Sequence, residues 1–579
     1  MASVWDNTAV ARMLGQIADL MEIKGENPFK VRAYRNAADV VGHAAETVGE
    51  MDVAALRAWA GIGKDLAVRI LELATTGDCT VRQELLQTYP ITLLDVLALQ
   101  GVGPKTAGRL YHELAVTSLP ELETAARAGR IRGLKGMGAK KELLILQALD
   151  ERQQHSGRHL LPDASRAVQA VMEWMLAQHP GLDIAAVGSL RRGADTCGDV
   201  DLLAVGADPT VLTLFTTYPL VERVLGRGET KASVLLRGGL QADLRAVAPN
   251  ERGAALQYFT GSKAHNIVLR DRALERGWRL NEYGLFNAKD EARIAGETEE
   301  SIYQALGLAW VPPELRENRG EIEAAAASSL PRLLTAGDLR GDVHMHTTET
   351  DGRNTLEEMA EAAAARGLEY IAITDHSKAL AMANGLDEAR ALSYATRIRA
   401  LNGRYPGLTL LAGIECDILA DGSMDLAEDC LSALDLVIGS VHSQLGQTEE
   451  EMTARLVRAI EHPAVDIIGH PTNRLLLRRP ASRVHIEKVI DAAAANGVAL
   501  EINSNGHRLD LSDSHARLAR DRGVKLVISS DAHAIPELEF PRWGVLVARR
   551  AWATAADVLN AQPLEAFRRG LKRGRRAAR

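Results

Sequence analysis

Apolar positions change their spacing twice along the chain, and each change marks a different kind of structure. Over roughly the first 150 residues they recur at helical spacing, as in VARMLGQIADLMEI, and predict amphipathic helices. From about residue 160, short runs such as DVDLLAVG predict strands mixed with helices. After Gly341, helical stretches alternate with the apolar runs YIAIT, LTLLAGIE, LDLVIGS, DIIGH, VALEIN and KLVISS. That alternation predicts a parallel α/β barrel.

Three glycine turns recur in the N-terminal helical region. Each is a Gly-x-Gly followed by a lysine and a predicted helix: Gly61-Ile62-Gly63-Lys64, Gly101-Val102-Gly103-Pro104-Lys105 and Gly136-Met137-Gly138-Ala139-Lys140. This is the helix-hairpin-helix pattern, in which a tight turn presents the N–H groups of a helix N-terminus to a phosphate, without reading the bases. The alternative is a purely structural array of helical hairpins. We predict contact with the DNA backbone through Gly61, Gly63, Lys64, Gly101, Gly103 and Lys105.

A series of metal-binding residue types lies in short turns at the ends of the C-terminal β runs. It uses six of the 16 histidines of the sequence, and its members are His344, His346, Asp351, His376, Glu415, His442, His470, Asp531 and His533. Imidazole and carboxylate together suit Zn²⁺, Mn²⁺ or Fe²⁺, and more than four ligands imply a multinuclear site. Because bound metal ions activate water, this region is predicted to hydrolyse its substrate. Asp351, which precedes a glycine, has an ordinary turn residue as its alternative interpretation.

A second group of carboxylates lies upstream, in the mixed region. Asp199 and Asp201 alternate along one predicted strand, so both project from the same face and indicate a Mg²⁺ site. Asp243 is a candidate third ligand on a neighbouring strand, and three carboxylates around two Mg²⁺ ions fit nucleotidyl transfer. Taken alone, the pair favours an exposed surface strand. The preceding segment GSLRRG, at 188–193, changes that balance because its N–H, hydroxyl and guanidinium donors suit phosphate oxygens.

Composition narrows the class of protein. The chain has 579 residues, enough for three to five domains, with 46% hydrophobic and 25% charged residues typical of globular proteins. A net charge of −8 argues against an indiscriminate polyanion binder. Four cysteines without CxxC spacing, no signal-peptide pattern and no run of about 20 apolar residues predict a protein of the reducing cytoplasm. The basic tail at 568–576 is either a solvated disordered tail or a phosphate contact.

The motifs together resemble a known family. GSLRRG, GDVDLL and ADLR, followed by Tyr258-Phe259-Thr260-Gly261-Ser262, are similar to family X DNA polymerases, as are the glycine turns and the VRAYRNAA segment. The HxH to SDAH series resembles the PHP (polymerase and histidinol phosphatase) domain. The resemblance covers nearly the whole chain and indicates a bacterial family X polymerase with a C-terminal PHP domain. It implies a multidomain α+β and α/β fold with a helix-hairpin-helix N-terminal region, a nucleotidyltransferase palm with a thumb, and a distorted α/β barrel.

The resemblance also implies roles in the palm. Asp199, Asp201 and Asp243 are expected to hold two Mg²⁺ ions, with Asp243 accepting the proton of the 3′-OH. The residues expected to bind the incoming dNTP are Gly188, Ser189 and Arg192 at the phosphates, Tyr258, Phe259 and Gly261 at the sugar and base, and Asn266 on the minor-groove side.

In the PHP domain the resemblance implies three ions, Mn²⁺ or Zn²⁺. The expected groups are His344, His346, Glu415 and Asp531; Glu415 with His442 and His470; and Asp351, His376 and His533. The activity expected there is 3′-5′ exonucleolytic trimming, with cleavage at abasic sites in some members.

Two positions depart from the family pattern. Some members use a lysine after the first hairpin as the Schiff-base nucleophile of a 5′-deoxyribose-phosphate lyase, and Arg69 stands at that position. A guanidinium cannot form the imine, although Lys64 lies nearby. Gln241 stands two residues before Asp243, where some relatives place an arginine, so the sequence does not define how Asp243 is oriented. His265 fits a helix cap and is left out of the site.

The expected organisation follows from these motifs. We expect an N-terminal DNA-binding domain at 1–80, helix-hairpin-helix fingers at 81–158, a palm at 159–250, a thumb at 251–317, a linker at 318–337 and the PHP domain at 338–579. The predicted protein is a monomeric short-gap repair polymerase of the bacterial cytoplasm and nucleoid, acting on gapped or primer-template DNA and dNTPs. The alternatives are a polymerase fused to a PHP small-molecule phosphoesterase and a catalytically silent scaffold for DNA ends.

Overall fold

A computed structural model describes residues 7–44, 48–59, 61–97, 99, 102–155, 157–206 and 210–577 of the chain. These residues form two compact units, Met1–Ser156 and Gly157–Arg579. No helix within these ranges is long and apolar enough to cross a membrane. All four cysteines are buried free thiols.

The N-terminal unit is helical, as its apolar spacing predicts. Its apolar faces meet in one core, which includes the middle residue of each glycine turn: Ile62, Val102 and Met137. Burying these residues fixes each turn against the core and leaves the start of the next helix at the surface. The helices are α1 (Asn7–Lys24), α2 (Pro28–His43), α3 (Val53–Arg57), α4 (Lys64–Thr76), α5 (Thr80–Thr88), α6 (Leu93–Leu97), α7 (Pro104–Leu114), α8 (Leu119–Arg127) and α9 (Ala139–His155).

The second unit begins with a five-stranded sheet in the order β2-β4-β7-β6-β5. Strands β4 and β7 are parallel neighbours, and the other pairs are antiparallel. Strand β5 was not predicted from the sequence, because almost its whole length is exposed and it has no apolar face. The elements are β1 (His159–Leu160), α10 (Leu161–Gln178), β2 (Asp183–Ala186), α11 (Gly188–Arg191), β3 (Thr196–Cys197), β4 (Asp199–Val205), α12 (Thr210–Thr216), β5 (Val221–Arg227), β6 (Lys231–Leu236) and β7 (Gln241–Val247).

A smaller α+β segment follows, with its own core. The segment expected to be a linker contributes a helix whose Ile322 and Ala325 are buried in that core. His265 is also fully buried: its Nδ1 lies 2.7 Å from Glu321 Oε1 and its Nε2 lies 2.8 Å from the Tyr303 hydroxyl. The elements are α13 (Arg252–Thr260), α14 (Lys263–Leu274), β8 (Trp278–Asn281), β9 (Gly284–Asn287), β10 (Arg293–Ala295), α15 (Glu299–Ala305) and α16 (Glu321–Ala326).

The C-terminal part is a seven-stranded parallel barrel in sequential order, which confirms the predicted architecture. It is nearly closed, because an isolated parallel bridge joins Met345, after the first strand, to Ala532, after the last. The strands are β11 (Gly341–Asp342), β12 (Tyr370–Ile373), β13 (Thr409–Asp417), β14 (Leu436–Ser440), β15 (Ile467–Ile468), β16 (Ala499–Asn503) and β17 (Leu526–Ser529).

Helices cover the outside of the barrel and continue into the basic tail. They are α17 (Leu356–Ala365), α18 (Glu388–Ala400), α19 (Glu428–Ala433), α20 (Glu449–Glu461), α21 (Ile486–Asn496), α22 (Asp513–Asp521), α23 (Pro541–Arg550), α24 (Leu564–Gly570) and α25 (Lys572–Ala577). A solvated disordered segment, one of the two interpretations of the basic tail, does not describe its middle. Lys572 donates to two backbone carbonyls, and Arg573 Nε lies 2.7 Å from buried Asp466 Oδ2.

Candidate active sites

The palm sheet brings the three predicted carboxylates to one edge. Asp201 on β4 is the register partner of Asp243 on β7, and Asp199 lies two residues earlier on the same face as Asp201. Asp199 is exposed, Asp201 half-buried and Asp243 buried. Burial, with repulsion from the other two carboxylates, raises the pKa of Asp201 to about 6. Crowded carboxylates of this kind are stabilised by a divalent cation.

Two neighbouring side chains define the orientation of Asp243. Lys231 Nζ lies 2.5 Å from Asp243 Oδ2, and Gln241 donates to Oδ1 at 3.1 Å. Burial alone would raise the pKa of this carboxyl, but hydrogen bonds from Lys231, Ser233 and Gln241 lower it below its usual value. Gln241 and the neighbouring strand thus orient the carboxylate in the absence of the arginine that some relatives have.

The GSLRRG segment folds as a turn and one helical turn against these carboxylates. Gly188 has φ +66°, and a Cβ there would lie 2.9 Å from Asp201 Oδ2, so both conformation and space require glycine. Arg192 donates through Nε to Glu317 Oε1 at 2.9 Å and through Nη1 to the Thr260 carbonyl. Gly188 therefore lies beside Asp201, and Ser189 and Arg192 follow it in the same short segment.

The predicted sugar and base pocket is assembled by α13 and α14. The rings of Tyr258 and Phe259 are edge to face with centroids 5.1 Å apart. Asn266 donates to the Tyr258 carbonyl at 2.8 Å, and its Oδ1 accepts from Gln257 at 2.7 Å. An added Cβ on Gly261, which has φ +67°, would lie 3.3 Å from Arg192 Nη1. Gly261 of the predicted pocket therefore adjoins Arg192 of the GSLRRG segment.

The glycine turns of the N-terminal unit share one geometry. Gly63 is the N-cap of α4 and Gly103 the N-cap of α7, and Gly61 has φ +81°. Lys64 and Lys105 are exposed at the first turn of these helices; Gly101 lies outside the described residues. The same backbone bond recurs in each turn: Ile62 N to Trp59 O, Val102 N to Leu99 O and Met137 N to Leu134 O. Each turn thus presents a helix N-terminus to solvent.

The position expected for a lyase nucleophile has a different environment. Arg69 pairs with Glu72 at 2.9 Å and contacts Thr80. This ion pair is consistent with a residue that packs on the surface of its own helix.

The barrel gathers all nine predicted metal ligands at the C-terminal ends of its strands, as expected for parallel barrels. His344, His346 and Asp351 follow β11, His376 follows β12, Glu415 lies in β13, His442 follows β14, His470 follows β15, and Asp531 and His533 follow β17.

Glu415 lies at the centre of the cluster. Its Oε1 lies 3.1 Å from His470 Nε2, 3.2 Å from His442 Nε2 and 3.4 Å from His344 Nε2. Its Oε2 lies 2.8 Å from His376 Nδ1. A carboxylate with imidazoles around both oxygens can bridge two ions, so this geometry agrees with the role that the resemblance implies.

Among the nine predicted ligands, three groups of ligand atoms lie close enough to share an ion. Asp351, the member with an alternative interpretation, has its carboxylate 3.5 Å from His376 and 3.6 Å from His533. Asp531 lies 3.2 Å from His346 Nε2. The groups are His346, Asp351, His376 and His533; His344, His346 and Asp531; and His376, Glu415 and His442. His346 and His376 each belong to two groups. The resemblance assigns each histidine to a single ion, so the ligand groups in the structure overlap more than that assignment does.

Buried atoms without partners show that the cluster fits metal ions. Among the residues that the structure describes, His344 Nε2 and His346 Nδ1 are buried and have no hydrogen-bond partner. Buried polar atoms are rarely left so, and an ion would supply the missing contact. His470 with φ +26° and Asp531 with φ +54° also adopt strained backbone conformations, of a kind that clusters at functional sites.

Charge pairing within the cluster shifts its histidines strongly. Burial opposes the charged form, but Glu415 and Asp351 raise the pKa of His376 to about 10. Similarly, carboxylate neighbours outweigh burial and raise the pKa of His442 and His533 to about 9. Metal binding would release the protons from these histidines, because an imidazole must be neutral to bind a metal ion.

Two carboxylates that the sequence analysis missed support the histidines. Glu501, on β16, is fully buried, with Oε1 2.7 Å from His344 Nδ1 and Oε2 accepting from the His470 N–H. Asp417 Oδ1 lies 3.2 Å from His442 Nδ1. Carboxylates in this position orient metal-binding imidazoles and fix their tautomer. The available signal was a lone acid within the apolar run VALEIN.

Comparison with known proteins agrees with this architecture. Residues 5–79 match the helix-hairpin-helix domain, 93–151 the SAM-like helix-hairpin-helix tandem, 162–238 the DNA polymerase beta palm, 255–317 the DNA polymerase beta thumb and 342–505 the PHP domain. This order of domains defines a family X type DNA polymerase with a PHP domain, and it implies dependence on metal ions and binding to DNA.

Full-length similarity identifies the family. The chain is 38% identical over 567 residues to the DNA polymerase/3′-5′ exonuclease PolX of Bacillus subtilis (strain 168), which covers 97% of this chain and 99% of the relative. This protein therefore belongs to the PolX family. Probable phosphatases of Thermoanaerobacter sp. (strain X514) and Shewanella sp. (strain ANA-3) are 32% and 33% identical over 230 and 202 residues. They span 38% and 33% of this chain and 89% and 75% of their own lengths.

Proposed function

We propose that this protein is a template-directed DNA polymerase that also removes 3′ nucleotides through its PHP domain. The observation that carries the proposal is the coexistence, in one PolX-family chain, of the Asp201–Asp243 register pair and the Glu415-centred cluster. The first is suited to adding nucleotides and the second to removing them.

In the palm, the chain's own groups bind and orient the reactants. Asp199, Asp201 and Asp243 would hold two Mg²⁺ ions, and the charge of these ions would stabilise the attacking and leaving oxygens. Asp243, oriented by Lys231 and Gln241, accepts the proton of the primer 3′-OH. Arg192 and the N–H groups of the GSLRRG turn hold the departing pyrophosphate, and the pocket of Tyr258, Phe259, Gly261 and Asn266 positions the sugar and base.

Single-nucleotide extension tests the palm assignment. Asp199 is exposed, so Asp199→Ala removes a metal ligand without opening a cavity in the core. We expect wild-type protein with Mg²⁺ to extend the primer of a one-nucleotide DNA gap, and the variant to lose extension. Extension by Asp199→Ala at the wild-type rate would refute the assignment.

In the barrel, the nine predicted ligands would hold the metal ions, for which we propose Mn²⁺ or Zn²⁺, and Glu501 and Asp417 orient the imidazoles. Bound ions would supply an activated water and neutralise the phosphate oxygens. Release of nucleotides from a 3′-labelled strand tests this activity. His344→Ala removes a buried ligand, and we expect it to abolish trimming and leave gap extension in place.

A second function for the barrel is suggested by the probable phosphatases, whose similarity spans only 38% and 33% of this chain. The barrel would then be a small-molecule phosphoesterase fused to a polymerase. This alternative predicts hydrolysis of p-nitrophenyl phosphate that depends on His344, together with 3′ trimming that survives His344→Ala.

Finer features of the proposal follow from the family and the motifs. They comprise short-gap repair in the bacterial cytoplasm and nucleoid, cleavage at abasic sites, a monomeric state, and contact of DNA phosphates with the glycine turns of the N-terminal unit. The domain boundaries expected from the sequence belong to the same proposal. Substitution of exposed Lys64 and Lys105 by alanine tests the DNA contact, with weaker and less salt-dependent binding to gapped DNA as the expected result.

A further inference from the structure

The phosphate-binding segment of the palm lies directly on helix α23 of the barrel. Gly193, the last residue of GSLRRG, has φ +66°, and a Cβ there would lie 3.1 Å from Leu546 Cβ. Arg550, at the end of α23, donates through Nη1 to the Arg192 carbonyl at 3.0 Å. A residue of the barrel therefore holds the backbone of the segment expected to bind the dNTP phosphates.

One carboxylate connects the side chains of the two arginines. Glu317 Oε1 accepts from Arg192 Nε at 2.9 Å and from Arg550 Nη1 at 2.8 Å. All three side chains are largely buried, with exposed fractions of 15% for Arg192, 19% for Glu317 and 11% for Arg550. The other end of Arg550 is anchored by Asp513 Oδ2 at 3.0 Å. Two guanidiniums thus share a single carboxylate oxygen beside the predicted nucleotide site.

We propose that Arg550 is a positioning residue through which the barrel prepares the palm to bind a nucleoside triphosphate. It fixes the Arg192 carbonyl and stays paired with Glu317 when the Arg192 side chain turns to the phosphates. This inference rests on the proposed polymerase function and on the role of Arg192 in it.

The energetic reason is the cost of leaving a buried carboxylate without a partner. Arg192 can bind a phosphate only if its Nε leaves Glu317. With Arg550 present, Glu317 keeps one charged hydrogen bond and stays neutralised. Without Arg550, the same movement would strand Glu317 in a largely buried position, which is strongly unfavourable. Arg192 would then remain with Glu317, and the nucleotide would bind more weakly.

Arg549 offers a matched control on the same helix. It also joins the barrel to the thumb, through Nε to Glu314 Oε1 at 2.7 Å and Nη1 to the Leu334 carbonyl at 2.8 Å. Its partners do not include Arg192 or Glu317 among the described contacts of the chain. Loss of interdomain packing alone should therefore affect Arg549→Gln and Arg550→Gln equally.

Steady-state gap filling with the full chain, at varied dNTP concentration, tests the inference. For Arg550→Gln we expect a rise of about tenfold or more in the KM for dNTP, which corresponds to about 1.4 kcal/mol. The kcat should change by less than about threefold, since the carboxylates are untouched. We expect Arg549→Gln to keep the wild-type KM, and both variants to trim a labelled 3′ end at the wild-type rate.

Two results would overturn the inference while leaving the polymerase assignment intact: a KM for Arg550→Gln within twofold of wild type, or an equal rise for Arg549→Gln. If Arg550→Gln does not fold, Arg550→Lys decides the matter. A single ammonium cannot serve Arg192, Glu317 and Asp513 together, so a rise of at least threefold is expected and an unchanged KM refutes the idea. Absence of extension by the wild type would remove the proposed function and this inference together.

Discussion

Replacement of Glu501 by glutamine is the most informative perturbation of the barrel site. The change keeps the shape of the side chain and removes its charge and one acceptor atom. Glu501 accepts from His344 Nδ1 through one oxygen and from the His470 N–H through the other. Glutamine has only one oxygen, so its amide group must face one of these donors with a donor of its own.

The magnitude follows from the hydrogen bonds that are lost. A hydrogen bond to a charged group contributes about 1.5–3 kcal/mol, and the group is fully buried, so water cannot replace it. At about 1.4 kcal/mol per factor of ten, metal affinity at His344 should fall by about 10- to 100-fold.

The assay is the Mn²⁺ dependence of 3′ trimming, with Mn²⁺ binding measured by calorimetry on the same protein. The midpoint should move to about 10- to 100-fold higher Mn²⁺, and gap extension in Mg²⁺ should be retained. Glu487→Gln is the matched control, because Glu487 Oε2 lies 3.1 Å from Arg522 Nη2 in an exposed ion pair outside the Glu415-centred cluster. If Glu501→Gln binds Mn²⁺ as the wild type does, this carboxylate does not support the metal site and the reasoning is wrong.

Three further predictions concern stability and metal dependence. Arg573→Ala leaves buried Asp466 without its charged partner and should lower the free energy of unfolding by about 3–5 kcal/mol in denaturant unfolding of the purified chain. Arg568→Ala, in an exposed ion pair, is the control and should change it by less than about 1 kcal/mol. Burial holds the pKa of His265 below its usual 6.5 despite the hydrogen bond to Glu321, so the stability that neutral His265 contributes is present above pH 6.5 and lost as the pH falls. The drop in melting temperature below pH 6.5 should therefore be smaller in His265→Gln. Removal of metal by EDTA should abolish trimming, and Mn²⁺ should restore it. Apparent Mn²⁺ affinity should rise with pH up to about 10, because the raised pKa values of His376, His442 and His533 mean that these side chains must lose protons to bind.

Local periodicity was sufficient to predict the elements that bury an apolar face. All six apolar runs after Gly341 became barrel strands, and DVDLLAV became β4. Strand β5 was missed because it has no apolar face, and its strand conformation depends on pairing with β6. For a related reason, the sequence did not predict the ordered contacts in the middle of the basic tail. Its charge pattern resembles that of a solvated tail, but Arg573 has a buried partner at Asp466, more than 100 residues away.

The nine predicted metal ligands were recognisable from the sequence because each lies at or near the end of a predicted strand. The supporting acids were not, since a carboxylate such as Glu501 within a strand is distinguished only by what it faces after the barrel closes. The same holds for Lys231 at Asp243 and for the Arg550–Glu317–Arg192 network, whose members come from separate elements. Contacts between distant segments carry no signal in local periodicity, so single-sequence reasoning cannot predict them.

The central claim is that one chain adds nucleotides to a DNA 3′ end at one metal site and removes them at another. The most direct test is a single assay on gapped DNA with a 3′-labelled primer, comparing wild type, Asp201→Ala and His344→Ala in Mg²⁺ and in Mn²⁺. We expect the wild type both to extend and to trim the primer, Asp201→Ala only to trim it, and His344→Ala only to extend it. Loss of both activities in either folded variant, or trimming that persists in His344→Ala, would contradict two separate active sites acting on the same end.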